Sequence, residues 1–179
     1  MFILYAIPIG MLAGLLLGGN LDRVADLRVR WAPLALLGLV VQLALFTDPI
    51  GAAVGDLAPA IYVASTAAVL IAVVRNVHVP GMALIAIGAG SNLVAILANG
   101  GYMPADAVAL ASVVELRPGY SNSLVVADPA LRPLTDIFAL PPAVPFANVF
   151  SIGDVLIGIG VAATIAIAMR ARPADRAIR

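Results

Sequence analysis

Seven polar side chains stand out because they lie within or beside long apolar segments, where hydrogen-bonding partners are scarce. They are Gln42, Ser65, Thr66, Asn92, Asn99, Asp136 and Asp154. Such groups can bind a lipid headgroup, a quinone-like molecule or a transported solute, with the two aspartates as the ionisable members. They can equally hydrogen-bond one another between helices, with each bond contributing about 0.6 kcal/mol. The sequence is compatible with both ligand binding and interhelical hydrogen bonding.

The residue types exclude much other chemistry. The chain has no cysteine and one histidine, His78, which excludes thiolate nucleophiles, iron–sulfur clusters, Cys-type zinc sites and a bis-His haem within one chain. The phosphate-loop, nucleophile-elbow and zinc-protease motifs are absent from the sequence. We therefore predict no metal, no cofactor and no standard enzymatic site. A carboxylate-only site using Asp136, Asp154 and Glu115 is the enzymatic alternative.

The composition indicates a protein that lies in a lipid bilayer. Of its 179 residues 63% are hydrophobic and 11% are charged, and the mean hydropathy is +1.08, whereas soluble domains average about 25% charged residues. The formal net charge is zero, so the electrostatic footprint of a nucleic-acid-binding protein is missing. The predicted partner is the bilayer itself, and a homo-oligomer or a partner protein in a membrane complex stays open.

Five apolar segments are close to the length that a membrane-spanning helix needs, which is about 20 residues. Their approximate bounds are 2–18, 31–46, 60–74, 81–98 and 152–169. The predicted fold is an all-α membrane protein, a bundle of five transmembrane helices in a single transmembrane domain covering residues 1–179. A long outer lid, residues 99–150, lies between the fourth and fifth helices.

The arginines predict the orientation of these spans. Eight of the ten lie in segments that would share one side of the membrane, and two, Arg117 and Arg132, lie on the other. Since basic residues concentrate in cytoplasmic loops, the N-terminus is expected outside and the C-terminus in the cytoplasm. Residues 47–59 carry no basic residue and have the composition of an outer loop. The predicted localisation is multi-pass in the cell inner (plasma) membrane.

Helix geometry brings the polar residues to comparable depth. Counted at about 1.5 Å per residue, Gln42 lies roughly 16 Å along the second span from its inner end, and Asn92 lies roughly 17 Å along the fourth. The other members enter the outer ends of the spans or belong to the lid: Ser65, Thr66, Asn99, Asp136 and Asp154. The sequence therefore predicts a candidate polar pocket in the outer half of the bundle.

Two local structures are predicted at the borders of the lid. Ser151 and Asp154 have the Ser-x-x-acid spacing of a helix N-terminal cap, in which both side chains reach free backbone N–H groups. We expect Asp154 to act chiefly as this cap and not as a proton carrier. Within the lid, an interfacial helix is expected over Ala105 to Arg117, and residues 134–140 are expected to lie on or dip into the bilayer surface.

Two motifs of this chain are distinctive. The first runs from Ser91 to Pro104 and contains Asn-Gly-Gly-Tyr-Met-Pro, and the second comprises residues 135–141 and 145–154. With these motifs the chain resembles an uncharacterised family of small bacterial integral membrane proteins that is defined only as a domain of unknown function. The resemblance implies a membrane location and no activity. We expect a structural or accessory subunit or scaffold of the bacterial inner membrane. The alternative is a protein that binds or transports a small solute, lipid or quinone in the outer-half pocket.

Overall fold

Prolines and glycines determine where several helices of this apolar chain begin. Pro33, Pro49 and Pro59 each lie in the first turn of a helix, where a fixed φ is favourable and a missing N–H leaves no hydrogen bond unmade. Gly81 precedes another helix with φ of +89°, a conformation that costs glycine little and other residues more. Residues 47–59, expected to form a loop, are therefore mostly helical.

The structure, a computed structural model, describes residues 2–113 and 123–171. The α-helices are α1 (Ala6–Leu16), α2 (Ala32–Leu45), α3 (Asp48–Val54), α4 (Ala58–Val74), α5 (Met82–Ala98), α6 (Ala107–Ala111) and α7 (Ile152–Arg170). Short 3₁₀ helices cover Phe2–Tyr5, Leu21–Asp26, Gly55–Leu57 and Arg132–Leu134. The strands are β1 (Met103–Ala105), β2 (Ser123–Val125), β3 (Phe138–Ala139) and β4 (Val149–Phe150). The five predicted spans fall on α1, α2, α4, α5 and α7.

Two helical stretches of the described residues are long and apolar enough to cross a membrane. Pro49–Val74 contains 26 residues with a mean hydropathy of 2.2, and Ile152–Arg170 contains 19 residues with a mean hydropathy of 2.1. The first stretch joins α3, the following 3₁₀ turn and α4. Three further apolar helical stretches are shorter, at Phe2–Leu16, Ala32–Leu45 and Met82–Ala98.

The apolar helices pack in a row whose order differs from the order of the chain. α1 packs on α7, α7 on α5, α5 on α4, and α4 on α2. Consecutive helices α1 and α2 therefore occupy opposite ends of the row. The segment between them contacts α7 on the way, and the Asn20 N–H donates to the Met169 carbonyl oxygen at 2.9 Å. α7 makes the most extensive contacts in the row, because it packs closely against α1 on one side and against α5 on the other.

The helices of the row begin and end at two opposite sides of the molecule, and these two sides differ in composition. One side, here called the arginine end, is formed by residues 17–31, 75–81 and 170–171, and it carries every arginine of the described residues except Arg132. The described residues of the lid, 99–113 and 123–150, lie at the other end. The first turn of the chain joins the lid, because Phe2 stacks on Phe150 at 4.3 Å between ring centroids and the Tyr5 hydroxyl donates to the Pro145 carbonyl oxygen.

The prediction of an all-α fold is wrong for the lid, which contains short paired strands. β1 pairs in parallel with β2, β3 pairs antiparallel with β4, and an isolated bridge joins Ala105 to Asp136. The helix expected over Ala105 to Arg117 is the five-residue α6, and Arg117 lies outside the described residues. Frequent prolines prevent long helices in this segment, so strand pairing satisfies its backbone groups instead.

Candidate functional site: polar clusters between the helices

The interface between α5 and α7 is built on small residues that bring two helix backbones together. Positions at steps of four, three and four residues line it on both helices: Gly81, Ile85, Gly88 and Asn92 on α5, and Gly153, Ile157, Gly160 and Thr164 on α7. A Cβ added to Gly88 would lie 2.4 Å from the Gly153 carbonyl oxygen, and one added to Gly160 would lie 2.7 Å from that of Gly81. Only glycine fits, so the helices touch through their backbones at two levels.

A cluster of three polar side chains joins α5 to α7 next to the lid. Asn92 Nδ2 donates to Asp154 Oδ1 at 2.8 Å, and Ser151 Oγ donates to Asn92 Oδ1 at 2.8 Å. The Ser151 N–H donates to Asp154 Oδ2 at 3.2 Å, and the Asp154 N–H donates to Ser151 Oγ at 3.0 Å. Ser151 and Asp154 thus form a reciprocal capping box at the start of α7. The same two side chains also hold the amide of the neighbouring helix.

A second and smaller polar group lies between α2 and α4. Gln42 Nε2 donates to Thr66 Oγ1 at 3.3 Å. The Thr66 and Ser65 hydroxyls each donate to the Tyr62 carbonyl oxygen at 2.8 Å, within their own helix. One long side-chain hydrogen bond therefore links these helices. α2 and α5 are not neighbours in the row, so the similar depth of Gln42 and Asn92 does not bring them together.

Asn99, at the end of α5, ties the lid to the helices. Its Nδ2 donates to the Ala95 carbonyl oxygen at 2.8 Å and to the Ala130 carbonyl oxygen at 2.9 Å, and its Oδ1 accepts the Ala130 N–H at 2.9 Å. The Asn99 side chain thus bonds both the N–H and the carbonyl oxygen of Ala130, as the backbone of a neighbouring β-strand would. Asn99 therefore acts as an anchor for residue 130 and has no hydrogen bond to the other predicted pocket members.

Asp136 belongs to the interior of the lid. It is buried, its N–H donates to the Pro104 carbonyl oxygen at 2.9 Å, and its carbonyl oxygen accepts the Asp106 N–H at 3.0 Å. These backbone bonds place Asp136 beside β1, on the side opposite β2. Residues 134–140, expected at the bilayer surface, thus form part of the lid's paired backbone.

Asp106 caps the short helix α6 on the lid surface. Its Oδ1 accepts the N–H groups of Val108 at 3.0 Å and Ala109 at 3.1 Å, and Arg132 lies 3.5 Å from its Oδ2. The Ala109 N–H has the largest effect and lowers the pKa of Asp106 by stabilising its charged form. Desolvation opposes this effect, and the Val108 N–H and Arg132 lower the pKa further, so that it lies below its usual value. A cavity of about 330 Å³ lies beside it, lined by residues that include Asp128 and Thr135.

The predicted pocket residues therefore form four separate groups: Gln42 with Ser65 and Thr66, Asn92 with Ser151 and Asp154, Asn99 with the lid backbone, and Asp136 inside the lid. Among the described residues, Ser91 Oγ and Asn148 Oδ1 are the buried side-chain polar atoms without a hydrogen-bond partner. No three metal-ligating side chains converge in the described part of the chain. Glu115, the third member of the carboxylate alternative, lies outside it. Hydrogen bonds described above link neighbouring helices or attach the lid to them.

A buried amide at the arginine end was not among the side chains predicted from the sequence. Asn76, which is fully buried, donates from Nδ2 to the carbonyl oxygens of Arg30 and Ala72, each at 2.7 Å, and its Oδ1 accepts the Arg30 N–H at 2.8 Å. It fixes Arg30, two residues before α2, to the end of α4. Asn76 follows an arginine in a short turn, where an amide is usually solvated, so its sequence position gave no signal of this role.

The arginine end also contains an open cavity of about 1460 Å³, here called the basic groove. Its lining includes Arg23, Arg28, Arg30, Arg170 and His78, together with apolar residues of α7 and of the segment after α1. In the sequence, these arginines indicated only the orientation of the spans in the membrane. Their convergence depends on the α1–α2 connector passing beside α7, which no sequence pattern indicates.

Comparisons with known proteins assign a family and no activity. The model of a family of unknown function (DUF5317) matches residues 26–166 of the chain. That match includes α2, α4, α5, the lid and most of α7, and therefore both polar interfaces. No curated protein and no solved structure matches the chain.

Proposed function

We propose that this chain, which belongs to the DUF5317 family of unknown function, is a five-span integral membrane protein with a structural or accessory role. In this proposal α1, α2, α4, α5 and α7 cross the plasma membrane, the lid lies outside, and the arginine end lies in the cytoplasm. The chain acts as a subunit or scaffold and carries no catalytic centre.

The exposed apolar surface of the row supports the membrane placement. Large apolar side chains point outward from every one of these helices, and those that expose more than half of their surface include Leu12, Leu36, Leu43, Ile87 and Ile159. A helix that is apolar all round needs an apolar environment on all sides. Lipid acyl chains provide that environment for the outward faces.

The observation that carries the structural role is that the polar side chains of each cluster hydrogen-bond one another. Asn92 hydrogen-bonds the side chains of Ser151 and Asp154 through its amide oxygen and nitrogen, and Ser151 and Asp154 cap the same helix. Gln42 donates to Thr66. A binding pocket needs convergent polar groups that are available to a ligand. The alternative, binding or transport of a solute, lipid or quinone in the outer half, receives less support because the same side chains bond one another.

Reporter fusions test the membrane placement. A reporter that is active only in the cytoplasm is expected to be active after Arg179 and inactive within the lid at Ala143. A reporter active only outside is expected to give the reverse pattern. Activity of the cytoplasmic reporter at Ala143 would contradict the orientation, and loss of the protein from the membrane fraction would contradict membrane insertion.

Purification in mild detergent tests the functional role. A structural or accessory subunit is expected to elute with a partner protein at fixed stoichiometry and to keep that partner when Asn92 or Gln42 is replaced by leucine in a folded variant. The alternative function would be favoured if the protein instead held a quinone or small solute, and if Asn92→Leu or Gln42→Leu released that molecule.

A further inference from the structure

The basic groove brings together arginines from two separate parts of the chain. Arg23, Arg28 and Arg30 come from the connector between α1 and α2, and Arg170 comes from the end of α7. Orientation in the membrane requires only that basic residues lie on the cytoplasmic side, in any of the loops. Their convergence on one cavity of about 1460 Å³ is an additional property.

The lining of this groove contains more basic than acidic side chains, with four arginines and one aspartate. Arg23 donates to the Met169 and Arg170 carbonyl oxygens at 3.3 and 3.5 Å. Within residues 2–113 and 123–171, no carboxylate lies within ion-pair distance of Arg28, Arg30 or Arg170. Asp26 is the acidic residue of the lining. The groove therefore has excess positive charge that suits an anion.

The other lining residues indicate what kind of anion fits. Leu17, Leu27, Val79 and Ile167 contribute apolar surface beside the arginines. The groove also lies where α1 and α7, two apolar helices, end. A phosphate group bonded to acyl chains would place its charge among the guanidinium groups and its chains along the helices, whereas a free phosphate would leave the apolar part of the lining exposed.

The geometry points to the basic groove as a binding site for the phosphate headgroup of an anionic phospholipid. Guanidinium groups bind phosphate oxygens through paired N–H donors, and basic pockets between membrane helices on the cytoplasmic side are suited to anionic headgroups. The inference rests on the membrane placement proposed above. It adds a specific lipid site at the arginine end, far from the polar clusters beside the lid.

Competition between two lipids tests the site. The purified full chain is exchanged into vesicles containing equal amounts of phosphatidylglycerol and phosphatidylcholine, extracted gently, and weighed by native mass spectrometry. The parent protein is expected to retain phosphatidylglycerol preferentially. Arg28→Gln, Arg30→Gln and Arg170→Gln are each expected to reduce that preference by about fivefold, in line with the contribution of one arginine near an anionic surface, and the triple variant by more than tenfold.

Arg75→Gln is the matched control. It removes one positive charge from the same end of the molecule, but Arg75 does not line the groove and lies over the Trp31 ring at 5.2 Å. Its lipid preference is expected to match that of the parent. Each variant is compared only if its melting temperature in detergent and its membrane insertion are unchanged, so that failure of the lipid site is distinguished from failure of the proposed membrane placement.

Three results would overturn the inference. The first is an unchanged preference in the triple variant, and the second is an equal loss in Arg75→Gln, which would indicate general surface charge. The third is displacement of phosphatidylglycerol by millimolar inorganic phosphate together with an equal thermal stabilisation by phosphate alone. That result would assign the groove to a free anion and not to a lipid.

Discussion

α5 and α7 meet mainly through their backbones, whereas α2 and α4 meet mainly through side chains. The first pair has glycine contacts at two levels, Gly88 with Gly153 and Gly81 with Gly160. The second has one tight glycine, Gly38, and its lid end is filled by residues such as Leu45 and Tyr62. Helices of nearly equal apolarity therefore form two kinds of interface, and they should tolerate substitution differently.

The polar bonds follow the same division. Two side-chain hydrogen bonds of 2.8 Å cross from α5 to the start of α7, and one of them ends on a carboxylate. The bond that Gln42 makes from α2 to Thr66 on α4 joins an amide to a hydroxyl and is longer, at 3.3 Å. Bonds to charged groups are stronger than neutral ones. We therefore expect the α5–α7 pair to contribute more to the stability of the row.

The largest effect is expected from a methyl group added at the backbone contact. Gly88→Ala places a Cβ 2.4 Å from the Gly153 carbonyl oxygen, so the two helices must separate. Overpacking of this kind costs about 1–3 kcal/mol or more. Thermal or denaturant unfolding in detergent is expected to show that loss.

Gly90→Ala is the matched control in the same helix. A Cβ at Gly90 would meet nothing within 4 Å, and alanine is favoured over glycine in a helix interior by about 0.5–1 kcal/mol. The control should be neutral or stabilising. Equal losses for both variants would show that helix propensity and not backbone contact controls the result.

A smaller effect is expected from removing the amides that link each pair. Asn92→Leu leaves the Asp154 carboxylate and the Ser151 hydroxyl without a partner on α5, at a cost of about 1–3 kcal/mol for unsatisfied buried groups. Gln42→Leu removes one long bond and should cost about 0.6 kcal/mol or less. Unfolding measured for both variants compares the interfaces directly, and a larger loss for Gln42→Leu would reverse the comparison.

The helix cap provides the next test. Asp154→Asn and Ser151→Ala each weaken the capping box and should cost about 0.5–2 kcal/mol. Because both side chains serve the same helix end and the same amide, the double variant should lose less than the sum. Melting temperatures in detergent measure the coupling. If Asp154→Asn instead preserved stability and abolished proton-dependent uptake or a cellular phenotype, the binding and transport alternative would replace the structural role.

The smallest effect concerns the lid, which should respond to acid separately from both helix pairs. The folded-state pKa of Asp106 is lowered, so its contribution to stability is present above the unfolded pKa near 3.8 and is lost as pH falls through the lower folded value. Protection of the Val108 and Ala109 amides, measured as their exchange rate relative to the intrinsic rate at each pH, should decrease below about pH 4. Asp106→Asn should remove most of this dependence, and an unchanged dependence would contradict the cap.

Only part of the candidate site was accessible to sequence reasoning. Ser151 and Asp154 are three residues apart, so their spacing alone predicted a reciprocal cap that chain-local geometry can form. Gln42 and Asn92 were grouped because their depths agree, yet depth says nothing about which helices are neighbours. Asn76 gave no signal, because its partner Arg30 is 46 residues away.

The positions of the apolar helices, the concentration of arginines at one end and the cap of α7 could be predicted, because they depend on local composition and short spacings. The helix order, the backbone contact of α5 with α7, the separation of the polar groups and the convergence of the arginines became known from the fold alone. Local patterns do not predict these features because each helix is apolar on all sides. Hydrophobicity then favours no particular face, and the choice of neighbour depends on the fit of glycine backbones and on a few amide hydrogen bonds between residues far apart in the chain.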